Sequence, residues 1–507
     1  MNTSTHPQPL PPLLRALERQ ATAHPNERAL VDDHAEITWA EFAKRVRLVA
    51  AALEALGLEP GERIGIHGLN SIEPAVATLA CWRAGLVTVL LGPPCKGPEI
   101  ADGLSATGAV AYLADPDLYP VGEAMLRRCP AMRLSLLLRR GAVAPETIAH
   151  FPAAIRPETP TTAPPPDLAA ILFSSGTTGV PKGVMHTHAT LGAMGEAEPG
   201  LGIRMKHMAF VVAPLTYITG LFPLAQCITR GFTAILQHRF DPDRMLEAVV
   251  KHRCTVVYAL SPVLAQTVLA AQQARPRDVT SCVYWPVGGD AVPSRLLEAW
   301  PAHFGRELQQ GLSLTEFFPA LGNLVGRNRP GSIGEPVDRT EVRVVREDGG
   351  ECEPSEVGEM QLRGPYLFAG YWNDPETTAR VMQDGWFHTG DLAERDADGY
   401  YWFRGRLKQI ITCDGEKISP QYVESALLEH PDVLEAGVVG KPDEVHGEVP
   451  VAFVRLRPGA KVSASELRDF VAARVEDCGV PEEVHFVESL PRGRTGKVDR
   501  RRLREQL

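Results

Sequence analysis

The sequence predicts a layered α/β protein: a large N-terminal domain built from several sheets, followed by a small α+β domain. Three observations predict it. Short apolar runs alternate with amphipathic helical stretches, the pattern of sheets covered by helices. The 507 residues exceed what one hydrophobic core usually organises. Past residue 400 the texture changes, as "YYWFRGRLKQIITCDGEKISP" leads into a tail with strands and helices of its own, which places domains at 1–405 and 406–507.

From Trp39 the residues Phe42, Val46, Val49, Leu53 and Leu56 recur at intervals of four and three, an amphipathic helix closed by Gly57. "RIGIHG" (63–68) and "GLVTVLLG" (85–92) read as strands flanking a helix over 71–83. The proline-rich connector "RPETPTTAPPPD" (156–167) can be neither helix interior nor central strand, and it delivers the chain to the apolar run "LAAILF". Strand and helix alternate again through "MAFVVAPL", a helix over 242–252 and "CTVVYAL". In the tail, "EAGVVG" and "VPVAFVRL" read as strands, and 421–429 and 465–476 as helices.

The net charge of -10 argues against a nucleic-acid binder, which needs a basic face, so any anionic ligand must be held by local design. Nine scattered cysteines without a Cys-x-x-Cys pair predict reduced thiols and a cytoplasmic setting. The opening "MNTSTHPQPLPPLL" lacks the basic and apolar regions of an export signal, and no apolar run of about 18 residues predicts a membrane span. Only ten of the 52 basic residues are lysine, so a lysine inside a glycine-rich segment points to a compact ammonium rather than a planar fork.

"FSSGTTGVPKGV" (173–184) concentrates small hydroxyls, glycines and Lys182. Glycines let backbone N–H groups close on anionic oxygens while Ser, Thr and Lys add donors, so phosphate is the expected ligand. A Walker-type P-loop is excluded by spacing: Gly176 and Gly179 are two residues apart, and Lys182 is followed by Gly183. His186 and His188, read as lying two apart at a helix start, are not expected to share a metal.

The string Ser-Ser-Gly-Thr-Thr-Gly-x-Pro-Lys-Gly-Val resembles the phosphate-binding loop of the ANL superfamily of adenylate-forming enzymes. Further motifs similar to that family's follow in order: "VGGDAVPSRL" (287–296), "QGLSLTE" (310–316), "GSIGEP" (331–336), "GYWNDPETT" (370–378), "GWFHTGD" (385–391), "GRLKQII" (405–411) and "GRTGKVDRRRLR" (493–504). The resemblance runs from about residue 30 onward.

It implies that a carboxylate attacks the α-phosphorus of ATP, giving an acyl-adenylate and pyrophosphate, and that the acyl group then passes to CoA. Two anions must meet, so catalysis is mostly positioning and electrostatic stabilisation. By the resemblance, Ser174, Ser175, Gly176, Thr177, Thr178, Gly179 and Lys182 hold the β- and γ-phosphates. Thr315 touches the α-phosphate and Glu316 binds Mg²⁺. Gly288, Gly289 and Asp290 border the adenine and acyl sites. Asp391 takes the ribose hydroxyls, with Arg406 reaching the ribose or phosphate from the other side. Lys497 bridges the carboxylate and the α-phosphate. Lys408 marks a hinge about which the small domain rotates between half-reactions, and Gly415 lines the pantetheine tunnel.

The chain departs from the family pattern at Leu312, where a tyrosine usually stacks near adenine, and at Ser313, usually glycine, on the floor beside the reacting carboxylate. Tyr217 replaces a gating histidine; with Gly220 and Leu314 it is assigned to the acyl pocket. The stretch 213–232 contains no Asp or Glu to hold an ammonium, which favours an uncharged, largely apolar carboxylate, whether aromatic, alicyclic or medium-chain. A carrier-protein thiol or an amine as acceptor, and a homodimer, stay open. A regulatory protein that kept the fold and lost turnover is disfavoured by the complete motif set.

Overall fold

A computed structural model describes residues 10–141, 145–150, 167–174, 182–198, 208–258, 260–290, 292–493 and 498–507. Its framework is a seven-stranded sheet in the order Glu146–His150, Leu134–Leu137, Ala111–Ala114, Arg63–His67, Val87–Leu91, Leu168–Ser174, Lys182–Thr187. The five central strands are parallel and the two edges antiparallel. Central parallel strands have both faces covered, which is why Val87–Leu91 and Ala111–Ala114 read as unbroken apolar runs and are buried at every position.

The predicted helices form where the caps allow. Thr38 and Glu41 make a reciprocal capping box at the start of Trp39–Ala55, and Gly57 follows its end with φ +77°. The helix predicted over 71–83 spans Ile72–Arg83, with Ser71 in extended backbone at its cap.

A second, largely parallel sheet runs Val256–Tyr258, Met208–Val211, Thr233–Leu236, Arg28–Val31, Glu36–Thr38. It continues through single bridges, Val256 to Tyr284 and Leu260 to Val287, into a four-stranded sheet of Pro286–Gly288, Gln309–Leu314, Phe317–Gly322 and Glu335–Pro336. Here backbones approach closely. A Cβ on Gly288 would lie 2.5 Å from the Gly311 carbonyl oxygen, and one on Gly311 2.8 Å from that of Leu321. Gly288→Ala must therefore push neighbouring strands apart, and it is expected to cost about 1–3 kcal/mol, read as a lowered thermal midpoint.

A fourth sheet comprises Glu341–Val345, Gly358–Arg363, Trp386–Arg395 and Met382–Gln383, with Tyr401–Arg406 paired to Trp386–Arg395. After the short 3-10 turn Leu407–Gln409 a fifth sheet begins, in the order Glu416–Ile418, Ile411–Cys413, Gly447–Leu456, Val433–Asp443, with Glu483–Phe486 parallel to Gly447–Leu456. Its buried clusters draw only on residues from Ile411 to Leu503, whereas those of the larger region end at Tyr401. The chain is thus a large N-terminal domain plus a smaller C-terminal one. The helix predicted over 465–476 stops at Ala472: its inward positions Leu467 and Val471 are satisfied, and a turn carries the chain to the 3-10 segment Asp477–Gly479.

Among the described residues no helix is long and apolar enough to cross a membrane.

Candidate active site

The antiparallel strands Leu168–Ser174 and Lys182–Thr187 set Ser174 opposite Lys182 in their last rung. Ser175, Gly176, Thr177, Thr178 and Gly179 lie outside the described residues. Lys182 Nζ stands 4.7 Å from the centre of the Tyr371 ring, a cation–π geometry. Burial lowers its pKa, with Asp374, Lys408, Arg380 and Glu316 forming its electrostatic surroundings. The Tyr371 hydroxyl donates to Glu316 Oε1 at 2.9 Å. Desolvation, together with the Glu316 carboxylate, raises the phenol well above its ordinary value, so it remains a donor. Tyr371 itself is clipped to the sheet: Met185 N–H bonds the Gly370 carbonyl at 3.0 Å, and Ala369 N–H bonds the Met185 carbonyl at 2.8 Å.

Thr315 and Glu316 form the turn between Gln309–Leu314 and Phe317–Gly322, and three contacts fix it. His186 Nε2 donates to the Thr315 carbonyl at 2.8 Å. Phe368 N–H donates to the Glu316 carbonyl at 2.8 Å. Ala320 N–H donates to Ser313 Oγ at 3.2 Å, so this hydroxyl supports the strand pair. Leu312 faces Leu321 across the same pair and packs on the main core, and Leu314 faces Phe317.

His186 belongs to a strand rather than to the helix start read from sequence; His188 opens the next helix, edge-on to Trp82 at 5.8 Å. The two imidazoles serve separate structural ends. Burial pushes His186 down to about 4 from an ordinary 6.5. Between these values the unfolded chain binds a proton that the folded chain does not. This contribution to stability is full above pH 6.5 and is lost as pH falls toward 4. Urea midpoints are expected to drop from pH 7 to about pH 5, and to drop less in His186→Gln.

Asp391 and Arg406 face each other across Trp386–Arg395 and Tyr401–Arg406. They meet directly, Arg406 Nε to Asp391 Oδ1 at 2.7 Å, with Asp391 1% exposed. The strand register makes them direct partners. Thr389 Oγ1 accepts from Asp391 N–H at 3.0 Å and fixes the bend at Gly390, where φ is +69°.

Gly289, at φ +90°, has open space where a side chain would project. The following Asp290 lies within electrostatic reach of Arg500 and Glu424 of the small domain. Arg500 is itself paired with buried Glu424 at 2.6 Å. Lys497 lies outside the described residues, but the residue three positions on is held beside the Gly288–Asp290 turn. Lys408, in the Leu407–Gln409 turn, joins Arg380 as a further cation near Lys182. At Gly415 (φ +85°) no atom lies within 4 Å of where a Cβ would sit, and its hairpin is tied by Lys417 to Glu347 of the large domain.

Tyr217 precedes the helix Ile218–Arg230, and a Cβ on Gly92 would fall 2.0 Å from its hydroxyl, so the ring lies directly against that backbone. Gly220 lets the helix close on the Pro214 carbonyl, 2.1 Å from where a Cβ would sit. Phe222 packs on Phe318 with centroids 5.0 Å apart and edge-on to Tyr258 at 6.0 Å.

Sequence reasoning misses Tyr371, His186 and Arg500. Tyr371 falls within "GYWNDPETT" and Arg500 within "GRTGKVDRRRLR", motifs that assign them no role, and His186 is weighed only as a metal ligand; the partners of His186 and Arg500 are 129 and 76 residues away. The arrangement fits nucleotide and Mg²⁺. Glu316 keeps a carboxylate oxygen beyond the one bonded to Tyr371, a hard donor of the kind Mg²⁺ takes.

The layered α/β architecture of a large domain followed by a small one agrees with the ANL adenylate-forming enzymes. The family model described as AMP-binding enzyme matches residues 17–372, and that of the AMP-binding enzyme C-terminal domain matches 422–497. A feruloyl-CoA synthase of an Amycolatopsis species is 32% identical over 95% of this chain and 96% of its own. The structure of an anthranilate CoA ligase in complex with anthranoyl-AMP superposes with TM-score 0.87 at 27% identity, covering 100% of this chain and 99% of that one. That of an amide bond synthetase from Marinactinospora thermotolerans gives 0.86 at 28%, covering 97% and 99%. The chain belongs to the AMP-binding enzyme family and is an AMP-forming carboxylate–CoA ligase that uses ATP, Mg²⁺ and CoA.

Proposed function

We propose that the enzyme activates an uncharged, largely apolar carboxylic acid, whether aromatic, alicyclic or medium-chain, and transfers the acyl group to free CoA. The carrying observation is the stretch 213–232, free of Asp and Glu and contributing Tyr217 and Phe222, the latter to an aromatic cluster with Phe318 and Tyr258. A substrate ammonium would find no counter-charge in that stretch. The relatives named for ferulate and anthranilate carry aromatic acids, in keeping with this choice.

In this reading Lys182 and the hydroxyls of 174–178 hold the phosphates that leave. Mg²⁺, when bound at Glu316, supplies charge neutralisation between phosphate oxygens. Tyr371 holds the Glu316 carboxylate in place, Asp391 and Arg406 orient the ribose, and Lys497 draws carboxylate and α-phosphate together. The domains divide at 405/406, with Lys408 at the hinge and Gly415 entering the thiol path when the small domain turns.

Carboxylate-dependent ATP–pyrophosphate exchange across benzoates, cyclic acids and graded fatty acids tests the substrate class. Exchange confined to amino acids or dicarboxylates would exclude it. The amide bond synthetase structure favours a second reading, an amine acceptor. Incubation with CoA and an amine panel separates the two by product mass.

A further inference from the structure

At the tip of the small domain four potential ligands converge around Gly415. Cys413 ends the strand Ile411–Cys413, Asp414 occupies the turn, and Glu416 opens the returning strand, paired with Cys413 in register. Cys478 comes from the 3-10 segment Asp477–Gly479. The ligand atoms of Cys413, Asp414 and Cys478 all lie within 4.8 Å of one another, and Cys478 Sγ is 4.0 Å from Asp414 Oδ2. Glu416 stands within hydrogen-bonding reach of Cys478. His446 Nδ1, at 2.8 Å, orients the Asp414 carboxylate. The Asp414 backbone is fixed as well, its N–H bonded to the His446 carbonyl at 2.9 Å and its φ at +50°.

We propose that Cys413, Cys478 and Asp414, with Glu416 on the fourth side, form a binding site for a thiophilic divalent cation of the zinc class. Zinc takes mixed sulfur and oxygen donors tetrahedrally with Zn–S bonds of about 2.3 Å, which sets ligand atoms roughly 3.8 Å apart. Closing from the present separations needs shifts of about an ångström or less at side chains of a hairpin tip and a surface turn. The carboxylate–histidine pair supplies the outer support that metal ligands need. A thiophilic ion displaces the thiol protons on binding. The proposal is independent of the assignment of the acyl substrate. Bound, the ion ties the Asp414–Gly415 turn to the Asp477–Gly479 segment.

Co²⁺ titration of the reduced full-length protein tests it. The expected result is saturable uptake of one ion with thiolate-to-cobalt charge-transfer absorption, displaced by Zn²⁺ and lost in both Cys413→Ser and Cys478→Ala. Cys478 sits in a partly exposed turn, so Cys478→Ala keeps the test decisive if the buried Cys413 variant fails to fold. Zn²⁺ should raise the thermal midpoint of the wild type and leave that of Cys478→Ala unchanged. Absence of the thiolate band, or its persistence in Cys478→Ala, overturns the site.

Discussion

Lys497→Ala is expected to slow adenylate formation by roughly 100- to 1000-fold, the loss of about 3–4 kcal/mol typical for removing one preorganised donor from a developing anion. Thioester formation from supplied acyl-adenylate is expected to stay near the wild-type rate. The asymmetry follows from the two chemistries. In the first step a carboxylate must approach phosphoryl oxygens of like charge, and a cation between them lowers that barrier. In the second, a thiol attacks an already activated carbonyl. Three residues further along the chain, Arg500 pairs with buried Glu424 within the small domain and lies within electrostatic reach of Asp290 of the large one. Separate assays of the two half-reactions check this, and equal loss of both would count against a role confined to the first.

Glu316→Gln is expected to lower the adenylation rate by roughly 100-fold, with some of the loss recovered at raised Mg²⁺. The amide keeps the shape and can still accept from Tyr371, so the turn should remain folded and the effect should report lost charge. Tyr371→Phe separates positioning from charge. It removes the 2.9 Å bond to Oε1 but leaves the carboxylate, and a hydrogen bond to an ionised group is worth about 1.5–3 kcal/mol. A loss of roughly tenfold or more is expected, with a higher Mg²⁺ requirement. An unchanged Mg²⁺ dependence in both variants would remove Glu316 from the metal role.

The elements most legible in the sequence are those governed by local chemistry. The strands around Arg63–His67 and Val87–Leu91 announce themselves as apolar runs, and the helix Pro242–His252 by its period; both signals act within one element. The order of motifs indicates which segments meet at the nucleotide. Contacts that depend on register are not legible. Asp391 and Arg406 become partners because two antiparallel strands place them opposite each other, and His186 reaches Thr315 across 129 residues. The close approach at Gly288 and Gly311 is hidden for the same reason, since a glycine's neighbour belongs to another strand. Ser313 reads from sequence as a piece of the floor beside the reacting carboxylate, yet its hydroxyl accepts from the backbone of the adjoining strand, a use visible only once the pairing is known.

The central claim is that one site serves both steps because the small domain docks in two ways. Lys417 and Glu347, both exposed, form a pair across the two domains in the arrangement described here. A reversible thiol cross-link between Glu347→Cys and Lys417→Cys holds that arrangement, and both half-reactions are then measured on the same linked protein. Pyrophosphate exchange should persist while CoA thioester synthesis stops, returning on reduction of the link; undiminished thioester synthesis by fully linked protein would contradict the account.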